Sequence, residues 1–539
     1  MKILETPLLT QAQQFQREHK WQNAIDCYKQ YLHENREKCE DTVFVSYARS
    51  LRIISQTNAA KEVLKKGMKQ HPNSEPVLLE FYHLYDFLGD WISANNVAKT
   101  LVNWQPQLAD YHFYLGRTYS FLSNRKKAKT AYKNGLECKH QIPFNKLVKN
   151  IQSGFAENTS DVKSNYIYVD GKNNLGGFIH TYQGKRFFTK ISPYSNKKTG
   201  AGREESFYKQ VCTEFTHLKG FTPKYIDSQI IDGILYLTIE MIDSIQNDKQ
   251  PLKAVVQLSQ QISSIRYEQV IHNYPRPNYV YQFKRGRAIS VVHFFTHIHE
   301  KKYNTKLFDS LKLIIKQQKY PKAATQVITR LEESIMRNQL YNYIHPTKHY
   351  GLLHGDLGYQ NVIVNQNDGL PRILDWSTYT IGPHFIDIAR YLTSLLVPYS
   401  TIKTLYLDDN PNGQRLSTIE RIFFLYAVIL FYFQKIGRLG IETNISSDLL
   451  PALEDLEVLV MQFKNTMGEN EMTEKQHSLS EELREKEVKI KQLEQRLSIV
   501  EDERKYLHKR LQNIINSKSW KITTPLRIFT EGIKKKELN

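Results

Sequence analysis

Asp356, Asn361 and Asp375 have the residue types and spacing that chemistry requires. Asp356 sits in His354-Gly355-Asp356-Leu357-Gly358-Tyr359-Gln360-Asn361, and Asp375 follows in Ile373-Leu374-Asp375-Trp376. Between them, Val362-Ile363-Val364 is an apolar run bounded by the turn-forming stretch 365–369, and 372–374 reads as a second short strand. The pattern is loop, strand, turn, strand, acid: a hairpin that brings three oxygen-bearing side chains near one point. Hard oxygen donors of this kind suit Mg2+, which also takes water and phosphate. A carboxylate on a separate loop beside such a metal accepts a proton from an attacking hydroxyl. Those are the parts phosphoryl transfer needs, since its catalysis is positioning plus charge neutralisation.

The order of these groups is similar to the kinase set, in which a catalytic-loop His, Asp and Asn precede a metal-binding Asp. In detail, His354-Gly355-Asp356 with Leu374-Asp375-Trp376 resembles the aminoglycoside phosphotransferase and choline kinase family. The resemblance covers roughly residues 165–465. It implies an α+β, bilobal protein kinase-like domain that uses ATP and Mg2+. It further implies Asp356 as the catalytic base, Asn361 and Asp375 as the metal ligands, and His354 as a brace for the loop.

The elements upstream must then position a nucleotide. Strands are expected over 166–169, 177–182 and 185–191, with a glycine-containing turn, Gly171-Lys172-Asn173-Asn174-Leu175-Gly176-Gly177, after the first. Backbone amides near Gly176 and Gly177 would fold over phosphates, although the turn departs from G-x-G-x-x-G. Lys190 stands among apolar residues on the third strand. It either snorkels outward or faces the α- and β-phosphates, paired with an acid on the helix opened by Arg203-Glu204-Glu205. Glu204 is the favoured partner and Glu205 the alternative. The strand over 235–242 ends where the resembled family has its hinge, so Glu240 and Ile242 would contact adenine through main chain. A helix over 252–266 begins the larger lobe.

Residues 267–345 are aromatic and basic, with Lys284-Arg285-Gly286-Arg287 in their midst, and an insertion here helps build the acceptor site in the resembled family. After Asp375 comes Asp387, expected to stabilise a helix and the catalytic loop. Eleven residues separate these acids, too few for a protein-kinase activation loop. A small hydroxylated acceptor or the end of a glycan is therefore favoured over a peptide.

Both flanks carry periodic patterns. Ala60, Ala94 and Ala128 are spaced by 34 and Ala24 precedes them by 36, with Leu115-Gly116 completing the last unit. That is the tetratricopeptide signature, so residues 1–140 should form an all-α solenoid that docks a protein partner. Residues 141–164 look polar and linker-like. Over 472–516 a heptad seam runs through Leu479, Lys486, Leu493, Val500, Leu507 and Ile514, with Leu483, Ile490, Leu497, Arg504 and Leu511 opposite. Nine of these eleven positions are apolar, which specifies a coiled coil and a homo-oligomer. The segment 517–539 combines Trp520, Ile522, Leu526, Ile528 and Phe529 with Lys534-Lys535-Lys536, a composition suited to an anionic membrane surface or a solvated basic tail. Residues 517–526 also resemble tails of bacterial polysaccharide-assembly enzymes.

The 539 residues carry a net charge of +19, which favours an anionic partner. No zinc-finger spacing or nucleic-acid-binding motif is present, so nucleic acid is not expected. Four cysteines without pairing or metal spacing, and an N-terminus without an apolar signal core, point to a cytoplasmic protein, peripheral at the inner face of the membrane if the tail binds there. The resulting expectation is an ATP-dependent kinase acting on a hydroxylated small molecule or a lipid-linked surface glycan. The alternative is a catalytically inactive kinase-fold scaffold for a polysaccharide-assembly complex.

Overall fold

The four periodic alanines Ala24, Ala60, Ala94 and Ala128 are fully buried, because each lies where two helices cross too closely for a larger side chain. They are seen in a computed structural model that describes residues 7–35, 39–171, 174–194, 200–244, 251–270, 297–318, 320–408, 416–439 and 445–466, together with 486, 489–490 and 493–494. Residues 1–460 make one compact unit and 461–539 a second. Most of the expected coiled coil and the whole of the basic tail lie outside the described residues.

Eight helices form four tetratricopeptide-type hairpins: α1 (Pro7–Arg17), α2 (Trp21–Glu34), α3 (Asp41–Ile53), α4 (Thr57–Gln70), α5 (Glu75–Leu88), α6 (Trp91–Trp104), α7 (Ala109–Phe121) and α8 (Arg125–His140). The sequence supplies their starts: Ser74, Asp90 and Asn124 each accept a backbone N–H of the first turn. Gly116 belongs to the repeat for a steric reason, since a Cβ there would run into the ring of Tyr132.

The stretch expected to be a linker is instead largely structured. Helix α9 (Phe144–Gln152) places Leu147, Val148 and Ile151 on one face, and Leu147 and Ile151 are buried. Asn145, Lys146, Lys149 and Asn150 are exposed, which gives the sequence its linker-like composition.

A five-stranded antiparallel sheet follows, ordered β1-β2-β3-β5-β4: β1 (Lys163–Ile167), β2 (Gly177–Tyr182), β3 (Lys185–Pro193), β4 (Tyr225–Ile231) and β5 (Ile234–Glu240). Strand alternation sends Lys190 to one face and Ile191 to the other. The Ile191 face, with Tyr166, Phe178, Ile234 and Tyr236, packs on Tyr132, Leu136, Leu147 and Ile151 as a single core. At the same joint, His140 at the end of α8 bonds the Tyr236 hydroxyl at 2.6 Å and Asp232, in the β4–β5 turn, at 2.8 Å. Repeats and sheet therefore share apolar contacts along a continuous seam.

The second lobe is mostly helical. It includes α10 (Gly200–Ser206) on the sheet side, then α11 (Leu252–Ser263), α12 (Lys301–Gln318), α13 (Lys322–Glu332), α14 (Ile386–Ser394), α15 (Thr418–Leu439) and a helix over 450–460. Residues 422–433 of α15 are buried all round, as expected of the central helix of a lobe. Among the described residues no helix is long and apolar enough to cross a membrane. Two short hairpins carry the motif: β6 (Tyr350–Leu353) with β9 (Thr380–Pro383), and β7 (Val362–Val364) with β8 (Pro371–Ile373).

Leu136 lies at the centre of the shared core and is fully buried. Leu136→Ala should cost roughly 2–5 kcal/mol through lost transfer energy and an unfilled cavity. Urea unfolding checks this: the midpoint should fall with the slope unchanged, and a loss below about 1 kcal/mol would mean the joint is not tightly packed.

Candidate active site

A cleft of about 250 Å³ opens beneath the sheet where β5 passes into the lower lobe. Val169, Phe188 and Ile239 line it from the sheet, and Ile363 and Leu374 from the β7–β8 hairpin. Lys190, Glu204, Asn361 and Asp375 all face into it, together with Glu240, Met241 and Ile242 at the connection.

Lys190 sits at the centre. Its Nζ lies 2.8 Å from Glu204 Oε2 and 2.8 Å from Asp375 Oδ1. The choice between the two adjacent acids is settled by geometry: Glu204 turns inward to Lys190, whereas Glu205 accepts from Lys209 and from the Ser228 hydroxyl. Burial pushes the Glu204 carboxyl up despite the Lys190 ammonium beside it. Burial would likewise lower Lys190, but its two carboxylate neighbours prevail and raise it. For Asp375, burial alone would raise the carboxyl, yet the charge and hydrogen bond of Lys190 bring it down to about 2. Asp375 is thus a carboxylate throughout the physiological range. It occupies a left-handed backbone conformation, φ 59°, at the end of the hairpin, and such strain in a non-glycine residue persists only where the surroundings hold it.

The loop bearing Asp356 is fixed by hydrogen bonds. Buried Asp387, in the first turn of α14, accepts the amides of His354 at 2.6 Å and Gly355 at 3.1 Å. His354 bridges the two motif segments: its Nδ1 accepts from the Asp356 amide at 3.2 Å and its Nε2 donates to the Leu374 carbonyl at 2.8 Å. Those two bonds together require the Nε2–H tautomer. Trp376 closes the back of the loop, with its ring 3.8 Å from that of Phe207 and 4.8 Å from the His354 imidazole.

Asn361 donates Nδ2 to the Asp356 carbonyl at 2.8 Å, and its own carbonyl accepts from the Leu374 amide. Its side-chain oxygen therefore points away from the loop it braces, and Asp375 is one residue beyond Leu374. An amide oxygen and a carboxylate are a donor set that fits Mg2+, which usually keeps water and takes phosphate for its remaining positions. Among the described residues no cluster of three or more His, Cys, Asp and Glu side chains suited to a metal occurs.

Not every expected residue lines the cleft. Gly176 and Gly177 lie at the start of β2, and Gly177 stands opposite Lys190 in the ladder. Gly176 has φ 108° and packs directly on the ring of Tyr166, so a side chain there is excluded twice over. Asp356 is not among the residues lining the cleft; it is part-exposed, and its carboxylate is ion-paired with Arg390. Sequence reasoning missed Arg390, which follows Asp387 by three residues on α14 and so lies one helical turn along the same face. It also passed over Asp170 and Asn174, which line the cleft from the β1–β2 turn. At the connection, the Glu240 amide bonds Lys224 and the Met241 amide bonds Arg186, but the Ile242 amide has no partner among the described residues.

Residues 289–402 match the sequence model of the phosphotransferase enzyme family. That span contains His354, Asp356, Asn361, Asp375, Asp387 and Arg390. Among solved structures, the chain is similar to the choline kinase LicA from Streptococcus pneumoniae: 14% identity, 59% of this chain and 99% of that one, TM-score 0.31. It is also similar to spectinomycin phosphotransferase APH(9)-Ia, solved with ADP and spectinomycin: 15% identity, 59% and 96% coverage, TM-score 0.34. A further match is to the MamA protein, with 18% identity over 27% of this chain and 76% of that one, TM-score 0.23. No curated protein matches the chain's sequence.

Replacing Lys190 tests the charge bridge. Lys190→Met leaves Glu204 buried without its cation, at a cost of roughly 3–5 kcal/mol at neutral pH. The Glu204 folded pKa then lies further above its unfolded value, so stability relative to wild type is best retained at acid pH and falls as pH rises through that pKa. Thermal midpoints across about pH 5 to 8 check the sign; a difference that is flat or widens toward acid would refute the bridge.

Proposed function

We propose that this chain is an ATP-dependent kinase that transfers the γ-phosphate to a hydroxyl of a small molecule or glycan. The observation that carries the reading is the convergence of Lys190, Glu204 and Asp375 on one cleft with Asn361, beside the braced loop that presents Asp356. Lys190, held between two carboxylates, would orient the α- and β-phosphates. The Glu240 and Ile242 backbone would take the adenine edge. Asn361 and Asp375 would hold Mg2+, which supplies charge neutralisation to the phosphates when bound.

Asp356 would accept the acceptor's proton. Its pairing with Arg390 engages one carboxylate oxygen, and a hydroxylated acceptor would take up the second. His354 and Asp387 act through backbone hydrogen bonds, keeping Asp356 at a fixed distance from the metal-binding pair. All the polar groups the transfer requires are in place, which counts against an inactive scaffold.

The heptads of 472–516 support a homo-oligomer, and the repeats support docking of a protein partner. The basic aromatic tail supports an anionic membrane surface, and with the resemblance of 517–526 it supports a lipid-linked surface polysaccharide as acceptor during its biosynthesis. Domain limits of 1–140, 165–465, 472–516 and 517–539 belong to the same reading.

The test is Mg2+-dependent ATP consumption by the purified full-length protein, offered choline, aminoglycosides, free sugars and membrane-extracted glycans in parallel, with products followed by mass spectrometry. A phosphorylated sugar or glycan supports the reading; turnover confined to choline or an aminoglycoside removes the glycan assignment. Asp356→Asn should lower kcat by about 10²- to 10⁴-fold with nucleotide affinity retained. Undiminished turnover in this variant would remove Asp356 from the chemistry.

A further inference from the structure

The turn that overhangs the cleft is anchored from the helical repeats. Asp170 and Asn174, which line the cleft, lie between β1 and β2. Two residues before the turn, the Tyr168 hydroxyl donates to Asp170 Oδ1 at 2.7 Å and accepts from the Ser120 hydroxyl at the end of α7. Arg125, the first residue of α8, donates Nη2 to Asp170 Oδ2 at 3.1 Å. At the far end of the turn, Tyr166 donates its hydroxyl to the Leu175 carbonyl at 2.5 Å, and its ring belongs to the same core as Tyr132 and Leu136. The last helical hairpin thus grips both ends of the turn.

This arrangement has an electrostatic consequence. A carboxylate facing a triphosphate in a partly enclosed cleft repels it. Both oxygens of Asp170 are engaged by groups that do not line the cleft: Oδ2 by Arg125 of the last repeat, and Oδ1 by Tyr168, which follows β1 and is itself bonded to Ser120 of α7. We propose that the last repeat positions the phosphate-facing turn, with Arg125 and Tyr168 as positioning residues that hold Asp170 off the nucleotide. The proposal rests on the nucleotide-binding reading above. It makes the repeats part of the nucleotide site as well as a surface for partners. The Arg125–Asp170 pair is largely solvent-exposed, with side chains 72% and 68% accessible. An exposed pair adds little to global stability, so removing it redirects Asp170 while leaving the fold intact.

The experiment uses the full-length protein and two probes that differ only in phosphate: the Mg2+ complex of a non-hydrolysable ATP analogue, and adenosine. Arg125→Ala and Tyr168→Phe should each weaken the triphosphate about two- to fivefold, leave adenosine affinity unchanged, and move the thermal midpoint by less than about 2 °C. Adding Asp170→Asn to Arg125→Ala should restore triphosphate affinity, since the repelling charge is then gone. Triphosphate affinity equal to wild type in both single variants, or a parallel loss of adenosine, overturns the proposal while the nucleotide site stands. A wild-type protein that binds neither probe overturns both readings.

Discussion

The Lys190 ammonium, fixed between Glu204 and Asp375, is the interaction on which the rest of the structure depends. It joins three separate pieces of chain: a sheet strand, the helix that follows the sheet's third strand, and the second motif hairpin. A buried cation with one carboxylate partner is costly to desolvate, and a second partner with good geometry offsets that cost. The bridge fixes where α10 lies against the sheet and where Asp375 enters the cleft. Stacking of Phe207 on Trp376 locks the same two segments through apolar contact. Charge and packing thus define one arrangement.

The loop bearing Asp356 is organised on the opposite principle. Its key carboxylate, Asp356, stays part-exposed, and rigidity comes from neighbours that use backbone groups. Asp387 accepts two loop amides, His354 spans from the Asp356 amide to the Leu374 carbonyl, and Asn361 closes back on the Asp356 carbonyl. Each polar side chain in this net satisfies a backbone group that would otherwise be buried unpaired. The loop is therefore stiff while the carboxylate it presents remains accessible.

How much of this was legible in the sequence depended on how locally each feature is determined. The repeats were legible because a small residue at fixed spacing is required wherever helices cross closely, and Ala24, Ala60, Ala94 and Ala128 all meet that demand. Lys190, Asn361 and Asp375 were legible because residue type and spacing within one hairpin or strand bound their positions. Strand β4 was missed: it is an edge strand carrying Asp227 and Gln229, and its half-buried residues lack a clean alternation. Helix α9 was read as linker because Asn145, Lys146, Lys149 and Asn150 dominate its composition, although its apolar face is continuous. Adjacent acids such as Glu204 and Glu205 differ only in helix rotation, which tertiary packing sets. Arg390 and Asp170 act across elements far apart in the chain, and no local pattern encodes such a pairing.

Charge distribution explains why a strongly basic chain can carry an acidic cleft. Asp170, Glu204, Glu240 and Asp375 line the cleft with Lys190, and Asp356 is paired with Arg390, while the chain as a whole carries +19. The surplus positive charge lies elsewhere and would draw a polyanion toward the protein at long range. At short range the carboxylates reverse the sign. A polyphosphate would then be accommodated only if it arrives with a divalent cation, or if the carboxylates nearest its path are already engaged. Lys190 engages Glu204 and Asp375, Arg390 engages Asp356, and Arg125 with Tyr168 engages Asp170. Glu204, Asp375, Asp356 and Asp170 thus each have a specific partner, and one partner of Asp170, Arg125, comes from the helical repeats. Taken without its last repeat, the cleft would keep one carboxylate, Asp170, no longer restrained by Arg125.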